Sequence, residues 1–122
     1  MEKVFINFSN HDSKDWSEAQ IRAAEVWGSI VDMPFPKVEA TASEREIEVL
    51  AESYVERIIA MRPAAVMCQG EFTLAFSVTE KLKSCHIPVL AACADRRVET
   101  EPGDNRQSVK KVYFEFVRFR EF

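Results

Sequence analysis

Two short runs of the sequence consist of apolar residues from end to end, residues 64–68 and residues 87–93. Between them, Leu74, Val78 and Leu82 recur with the spacing of one helix face. A strand that is apolar on both faces needs a helical layer on each side of its sheet, as in parallel α/β proteins. This pattern therefore predicts parallel strands buried between helices.

The earlier part of the chain repeats the same alternation. Residues 3–8 and 29–33 read as short strands, and a helix is expected from about Asp15 until Gly28 ends it. A second helix is expected to begin after Ser43, which forms a capping-box pattern with Glu46, and to end before Pro63. Alternating strands and helices predict right-handed crossovers and a Rossmann-like α/β fold with a mainly parallel sheet. At 122 residues, the chain is expected to form a single domain over 1–122.

The C-terminal segment departs from this alternation. Residues 96–101 and 108–119 flank the turn-forming sequence Glu-Pro-Gly-Asp-Asn, so they predict a C-terminal β-hairpin. Its second strand is long and rich in aromatic residues. We expect that strand at the edge of the sheet or at a subunit interface.

Charge and cysteine usage exclude several classes of function. The net charge is −4, so no general positive field is present to hold long nucleic acid or a membrane surface. The three cysteines and two histidines have no metal-ligand spacing, and we expect neither a metal nor a cofactor. No run is long enough to span a membrane, and the N-terminal apolar run is too short for a signal peptide. A cytoplasmic protein is expected.

Polar residues follow three of the predicted strands, where ligands bind in open α/β sheets. A strand order of 2-1-3-4 would place the cleft between the first and third strands, whereas 3-2-1-4 would place it between the first and fourth. The candidate binding residues are Asn7, Ser9, Asn10 and His11 after the first strand, Gln69, Gly70, Glu71 and Thr73 after the third, and Arg96 and Arg97 after the fourth.

Each of these loops contains groups that can bind an anion. His11 is the one side chain of its loop that titrates near neutrality, which suits proton transfer or a bond to phosphate. Backbone N–H groups from Gln69 to Thr73 can bind phosphate where Gly70 allows close approach; equally, Gly70 can serve only the turn while Glu71 caps the helix. Arg96 or Arg97 can hold a phosphate through two guanidinium N–H groups.

Three segments of the chain resemble the small type III CRISPR-associated proteins that are stand-alone relatives of the CARF domain, some of which are ring nucleases. The segments are Asn7-Phe8-Ser9-Asn10-His11, Gln69-Gly70-Glu71-Phe72-Thr73 and the closing Phe116-Val117-Arg118-Phe119-Arg120-Glu121-Phe122. The resemblance implies a CARF-like homodimer that binds cyclic oligoadenylate, most often the four-adenosine ring, across a two-fold axis. It also implies metal-independent cleavage by the ribose 2′-hydroxyl, which would end type III antiviral signalling.

Under this resemblance, the candidate residues acquire roles. His11 would transfer a proton or stabilise phosphate, with Glu71 as the rival general base. Asn7, Ser9, Asn10, Gly70 and Thr73 would contact the ligand, Gln69 would bind adenine or ribose, and Arg96 or Arg97 would hold phosphate. Two alternatives remain open: a sensor that binds the ring without cutting it, and a nucleotide hydrolase resembling TIR or deoxyribosyltransferase enzymes, in which Glu71 would act at an anomeric carbon.

Overall fold

The structure is a computed structural model that describes residues 2–103 and 107–122. Asp104 and Asn105, to which the sequence assigned part of the hairpin turn, lie outside the described residues. In chain order the elements are β1 (Val4–Ser9), α1 (Glu18–Glu25), β2 (Ser29–Pro34), α2 (Glu44–Ala60), β3 (Ala65–Cys68), α3 (Phe72–Ser84), β4 (Val89–Pro102) and β5 (Ser108–Glu121).

The five strands form one sheet in the order β2-β1-β3-β4-β5. The first four are parallel, and β5 pairs antiparallel with β4 at the edge. The protein thus has the Rossmann-like α/β fold and C-terminal hairpin that the sequence predicted. Of the two strand orders considered, 2-1-3-4 is correct, and the strand order reverses between β1 and β3.

Helix boundaries follow the capping residues. Ser43 and Glu46 form the reciprocal capping box at the start of α2, as predicted. The first helix is shorter than predicted, because the hydroxyl of Ser17 caps the N–H of Gln20 and α1 begins only at Glu18. A short 3-10 helix, Ser13–Asp15, occupies the preceding residues.

Each face of the sheet is covered by its own apolar cluster. On one face, Phe5, Met67 and Leu90 are buried against Ala24 of α1. On the other face lie α2 and α3, whose buried residues pack on the inward side chains of β1 and β3. These α2 and α3 residues are Ile47, Ala51, Val55, Ile58, Leu74, Val78 and Leu82. Because each large buried side chain contributes about 1.5–3 kcal/mol, the two clusters fix the sheet between its helices.

The fourth strand is longer than predicted. Residues 87–93 and 96–101 were expected to be separate strands, but β4 runs without a break from Val89 to Pro102. The reason is its partner: β5 pairs with β4 from Leu90 to Pro102, with one bulge beside Cys93 and Ala94. The prediction that residues 96–101 form a hairpin strand is therefore confirmed, whereas the placement of Arg96 and Arg97 in a loop after the fourth strand is wrong.

Most of this hairpin extends past the parallel sheet. β3 pairs with β4 only at Val89 and Leu90, so the later residues of β4 have β5 as their sole strand partner within the described part of the chain. We call residues 94–102 and 108–116 the arm. None of the described helices is long and apolar enough to cross a membrane.

Candidate functional site

A cleft of about 760 Å³ opens where the strand order reverses, at the carboxyl ends of β1 and β3. We call it the switch-point cleft. Its polar lining comes from Asn10, His11, Asp15, Ser17, Gln20, Gln69, Tyr113 and Glu115, and its apolar lining from Trp16, Ala19, Met67, Ala92, Ala94, Phe114 and Phe116. The cleft therefore lies between the loop after β1 and the arm, where sheets of this type bind ligands.

The main chain of His11 is held on both sides. Its carbonyl oxygen accepts hydrogen bonds from Asn7 Nδ2 at 2.8 Å and from the indole Nε1 of Trp16 at 3.0 Å. Its N–H donates to the hydroxyl of Ser9 at 3.1 Å. The imidazole itself belongs to an exposed residue that lines the cleft. A fixed backbone beneath an exposed side chain is how folds present a reactive group at low reorganisation cost.

Asn7 and Ser9 support this loop from behind. Both are buried, with 1% and 4% of their surfaces exposed. The Ser9 hydroxyl donates to Asn7 Oδ1 at 2.6 Å, and Asn7 Nδ2 also donates to Asp32 Oδ1 at 2.8 Å. The expectation that these two residues contact the ligand is therefore corrected: their polar atoms are engaged within the protein, and they position the loop.

Asp32 completes the support, and sequence analysis did not identify it. Its carboxylate accepts from the N–H of Ser13 at 3.1 Å and from the Ser13 hydroxyl at 2.8 Å. Partial burial raises the pKa of Asp32, but hydrogen bonds from Asn7 and Ser13 outweigh it and hold the pKa below its ordinary value. The signal in the sequence was a lone acidic residue inside an otherwise apolar strand, directly beside Asn7 in the sheet register.

The turn from β3 to α3 differs from the predicted anion site. The carboxylate of Glu71 is the N-cap of α3 and accepts from the N–H groups of Thr73 and Leu74, at 3.1 and 2.8 Å. The Thr73 hydroxyl also donates to Glu71. The hydrogen bonds from Leu74 and Thr73 lower the pKa of Glu71. Neither Glu71 nor Thr73 lines the switch-point cleft. The prediction that Glu71 acts there as a base and that Thr73 contacts the ligand is therefore wrong. The alternative, that Glu71 caps the helix, is confirmed.

Gly70 makes room for a side chain of the protein instead of a ligand. A Cβ atom on Gly70 would lie 2.5 Å from the ring of Phe35, which is 4% exposed. The close approach expected at this glycine is therefore to Phe35. Gln69, by contrast, lines the cleft as predicted.

The two adjacent arginines point to opposite faces of the arm. Arg97 Nε donates to Glu115 at 2.9 Å, and its guanidinium also pairs with Asp95. Arg96 lies directly across from Phe114 in the ladder, and cross-strand partners share a face. The cleft is lined by Phe114 and Phe116 from the face of Arg96 and by Tyr113 and Glu115 from the face of Arg97. The two arginines differ in pairing: the charge of Arg97 is engaged by Glu115 and Asp95, whereas Arg96 makes no salt bridge within the described residues.

The arm side of the cleft is aromatic. The ring of Trp16 lies 6.2 Å from that of Phe119, which lies 5.0 Å from that of Phe116. Trp16 also packs on the buried cluster around Phe5. The aromatic strand was expected at an edge of the sheet, and the structure also brings it to the cleft.

A second, apolar cavity of about 710 Å³ lies beside α3. Its lining includes Phe72, Phe76 and Phe122, all exposed, and Gln69 lines this cavity as well as the cleft. Polar side chains suited to orienting a ligand are concentrated in the switch-point cleft, which makes that cleft the better candidate site.

The charges around the switch-point cleft limit what it can hold. The described residues that line it include no lysine or arginine, and they include the carboxylates of Asp15 and Glu115. Arg96 lies opposite the lining residue Phe114, and Arg97 is paired with Glu115. In the described part of the chain, no group of three or more His, Cys, Asp or Glu side chains is placed to hold a metal ion. The cleft offers an imidazole, three side-chain amides, two carboxylates, hydroxyl groups and aromatic faces, which together can contact the base and ribose of a nucleotide.

A protein-family model matches nearly the whole chain. The model of a family described as "Uncharacterized protein MJ1673 family" matches residues 3–120. No curated protein matches the sequence. The family match covers every element of the sheet and assigns no chemistry to the cleft.

Proposed function

We propose that this chain, which belongs to the uncharacterized MJ1673 family, binds cyclic oligoadenylate in the switch-point cleft and cleaves it without a metal ion. The proposed substrate is the four-adenosine ring, and the proposed role is that of a ring nuclease that ends type III CRISPR signalling. The observation that carries the proposal is the rigidly held loop that presents His11 opposite aromatic and amide side chains at the point where strand order reverses.

The reaction needs positioning more than special reagents. A ribose 2′-hydroxyl attacks the adjacent phosphorus, the bond to the 5′ oxygen breaks, and the products are a 2′,3′-cyclic phosphate and a 5′-hydroxyl. His11 would accept the proton of the 2′-hydroxyl or stabilise charge on the phosphate. Asn10 and Gln69, whose amides carry both donors and acceptors, would bind ribose, phosphate or adenine.

The scarcity of cations supports a dimeric site. A four-adenosine ring carries four phosphates, whereas one protomer offers Arg96 and the imidazole of His11 near the cleft. Two copies related by a two-fold axis would double both groups and match the symmetry of the ring. We therefore propose that the ring lies between two protomers.

The two alternatives differ in what the site must supply. A sensor would use the same cleft and leave the ring intact. A hydrolase that acts at an anomeric carbon needs a carboxylate near the ligand, and the capping bonds of Glu71 speak against that residue. The carboxylates that line the cleft are those of Asp15 and Glu115, and one of them would have to take that role. The geometry gives no separate support to this reaction.

The test is incubation with cyclic oligoadenylates of different ring sizes, with and without EDTA, followed by chromatography and mass spectrometry. We expect linear products ending in 2′,3′-cyclic phosphate in both conditions. Tight binding without any product over hours would support the sensor instead. Loss of cleavage in EDTA would overturn the metal-independent mechanism, and release of free adenine would support the anomeric-carbon hydrolase.

A further inference from the structure

The aromatic floor of the cleft continues outward along the arm. Trp16, Phe119 and Phe116 form a chain of ring contacts that begins in the core. Phe114 lies two residues before Phe116 on the same strand, so both rings are on the same face. Phe116 is half-buried, whereas Phe114 is 71% exposed and still lines the cleft. The aromatic floor therefore ends at Phe114, most of whose ring is not covered by the described residues.

We infer that Phe114 and Phe116 form a stacking surface for a nucleobase, with Arg96 placed to contact the phosphate of the same nucleotide. The inference rests on the proposed function and names the residues that select its ligand. Base stacking on an aromatic side chain removes apolar surface of both partners from water and tolerates any base, with purines stacking over the larger area.

Three features at this face favour a nucleotide over a protein partner. Arg96 is directly opposite Phe114 in the ladder, and it makes no salt bridge within the described residues. Its neighbour Arg97 is engaged by Glu115 and Asp95. The aromatic ring can stack on a base, and the cation of Arg96 can bind a phosphate. The amides across the cleft can form hydrogen bonds with the edge of the base.

The position of Phe114 in the switch-point cleft also favours a nucleotide as the molecule that binds there. Phe114 lies on the lining of the same cavity as His11, Asn10 and Gln69. A base stacked on Phe114 would thus keep its ribose and phosphate within the space that separates the arm from the loop after β1. Val98 and Val112, farther out on the same face, do not line the cleft and are left for other contacts.

The experiment compares three variants of the full chain with wild type. Phe114→Ala removes the ring, Phe114→Trp keeps a stacking surface, and Val49→Ala is the control for an exposed apolar residue outside the arm, on α2. Affinity for labelled cyclic tetra-adenylate and cyclic tetra-uridylate is measured by fluorescence anisotropy, and oligomeric state by light scattering. We expect Phe114→Ala to weaken binding of the adenine ring about 10-fold or more and the uracil ring less. Phe114→Trp and Val49→Ala should bind as wild type does.

The outcomes separate this inference from the proposed function. Unchanged adenine-ring binding by Phe114→Ala overturns stacking, as does weakened binding that coincides with loss of the dimer. If wild type binds the ring but does not cleave it, the proposed nuclease activity is wrong. The affinities of the Phe114 variants then still test the stacking surface. If wild type binds no cyclic oligoadenylate, the proposed function fails, and the same variants are titrated with linear tetra-adenylate. Selective loss in Phe114→Ala then supports the stacking surface, and no binding by wild type overturns it.

Discussion

At the scale of single residues, the polar side chains around the carboxyl ends of β1 and β2 either support the loop after β1 or are exposed in the cleft. Asn7, Ser9 and Asp32 of the two strands direct their polar atoms at the protein, whereas Asn10 and His11 of the loop are exposed in the cleft. Residue type alone does not distinguish the two groups. The difference follows from the sheet register, which sets Asn7 beside Asp32.

His11 should therefore act in the chemical step. His11→Ala is expected to slow single-turnover cleavage of cyclic tetra-adenylate by roughly 10²-fold or more, with little loss of binding, because the lost group acts on developing charge and not on the bound ring. Rapid-quench kinetics and anisotropy measure the two quantities. The matched control is His86→Ala, an exposed histidine after α3, which should behave as wild type. Equal losses in rate and binding would make His11 a ligand contact only.

The arginine pair offers a test within two adjacent positions. Arg96→Ala should weaken ring binding by on the order of 1.5–3 kcal/mol through the loss of a charge-assisted phosphate bond, with nearly unchanged thermal stability. Arg97→Ala removes the exposed ion pairs with Glu115 and Asp95 and should leave ring affinity close to that of wild type. Isothermal titration of both variants measures the difference. The reverse ranking would place the phosphate on the other face of the arm.

Asp32 should make stability depend on pH. Its pKa is below its ordinary value of 3.8, so the stability that it contributes is fully present above that value and is lost as the pH falls through the folded-state pKa. At neutral pH, Asp32→Ala should lower the free energy of unfolding by on the order of 1–3 kcal/mol, since Asn7 and Ser13 lose an acceptor. Urea unfolding at a series of acidic pH values should show that the difference in free energy of unfolding between wild type and Asp32→Asn becomes smaller as the pH falls. A difference that does not depend on pH would contradict this role.

At the scale of elements, the start of α3 shows one residue with two possible roles. A glutamate after a buried strand at a cleft can be a general base or a helix cap, and here the carboxylate accepts from two backbone N–H groups of the first turn. Those N–H groups would otherwise be the donors of an anion site. Because Glu71 already satisfies them, the end of α3 contributes stability and leaves Gln69 as the β3–α3 residue that lines the switch-point cleft.

Glu71→Ala should consequently affect folding and not catalysis. We expect a loss of about 1 kcal/mol in the free energy of unfolding, the usual cost of an N-cap, with the cleavage rate unchanged. Thermal melts and single-turnover kinetics give the two values. Glu56→Ala, at an exposed position within α2, controls for the removal of one carboxylate and should change neither. Abolished cleavage at wild-type stability would restore Glu71 as the base.

At the scale of the whole molecule, the protein should be a two-fold dimer. The arm and C-terminus expose Val98, Val109, Val112, Phe114 and Phe122, a large apolar surface for a chain of this size. One protomer also supplies few cations for a ring with four phosphates. Light scattering at micromolar concentration should give twice the mass of the chain, and titration should give one ring per two chains. A monomer with and without ligand would contradict the shared site.

The sequence by itself determined the layered fold. Fully apolar strands at residues 64–68 and 87–93, capping pairs such as Ser43 with Glu46, and alternating periodicity are local patterns that depend on neighbours in the chain. It also located the loop of His11 and the β3–α3 turn, because polar residues after buried strands are visible without a structure. These features follow from burial and backbone hydrogen bonding, which the order of residue types encodes directly.

The tertiary structure alone decided which of these residues share a site. Strand order brought β1 beside β3, pairing with β5 turned the supposed loop of Arg96 into strand, and the ladder set Arg96 and Arg97 on opposite faces. The ring of Phe35 occupies the space beside Gly70, and the carboxylate of Glu71 accepts hydrogen bonds from the first turn of α3. Each outcome depends on contacts between residues far apart in the chain, and packing against such partners overrides what a side chain's type and neighbours indicate.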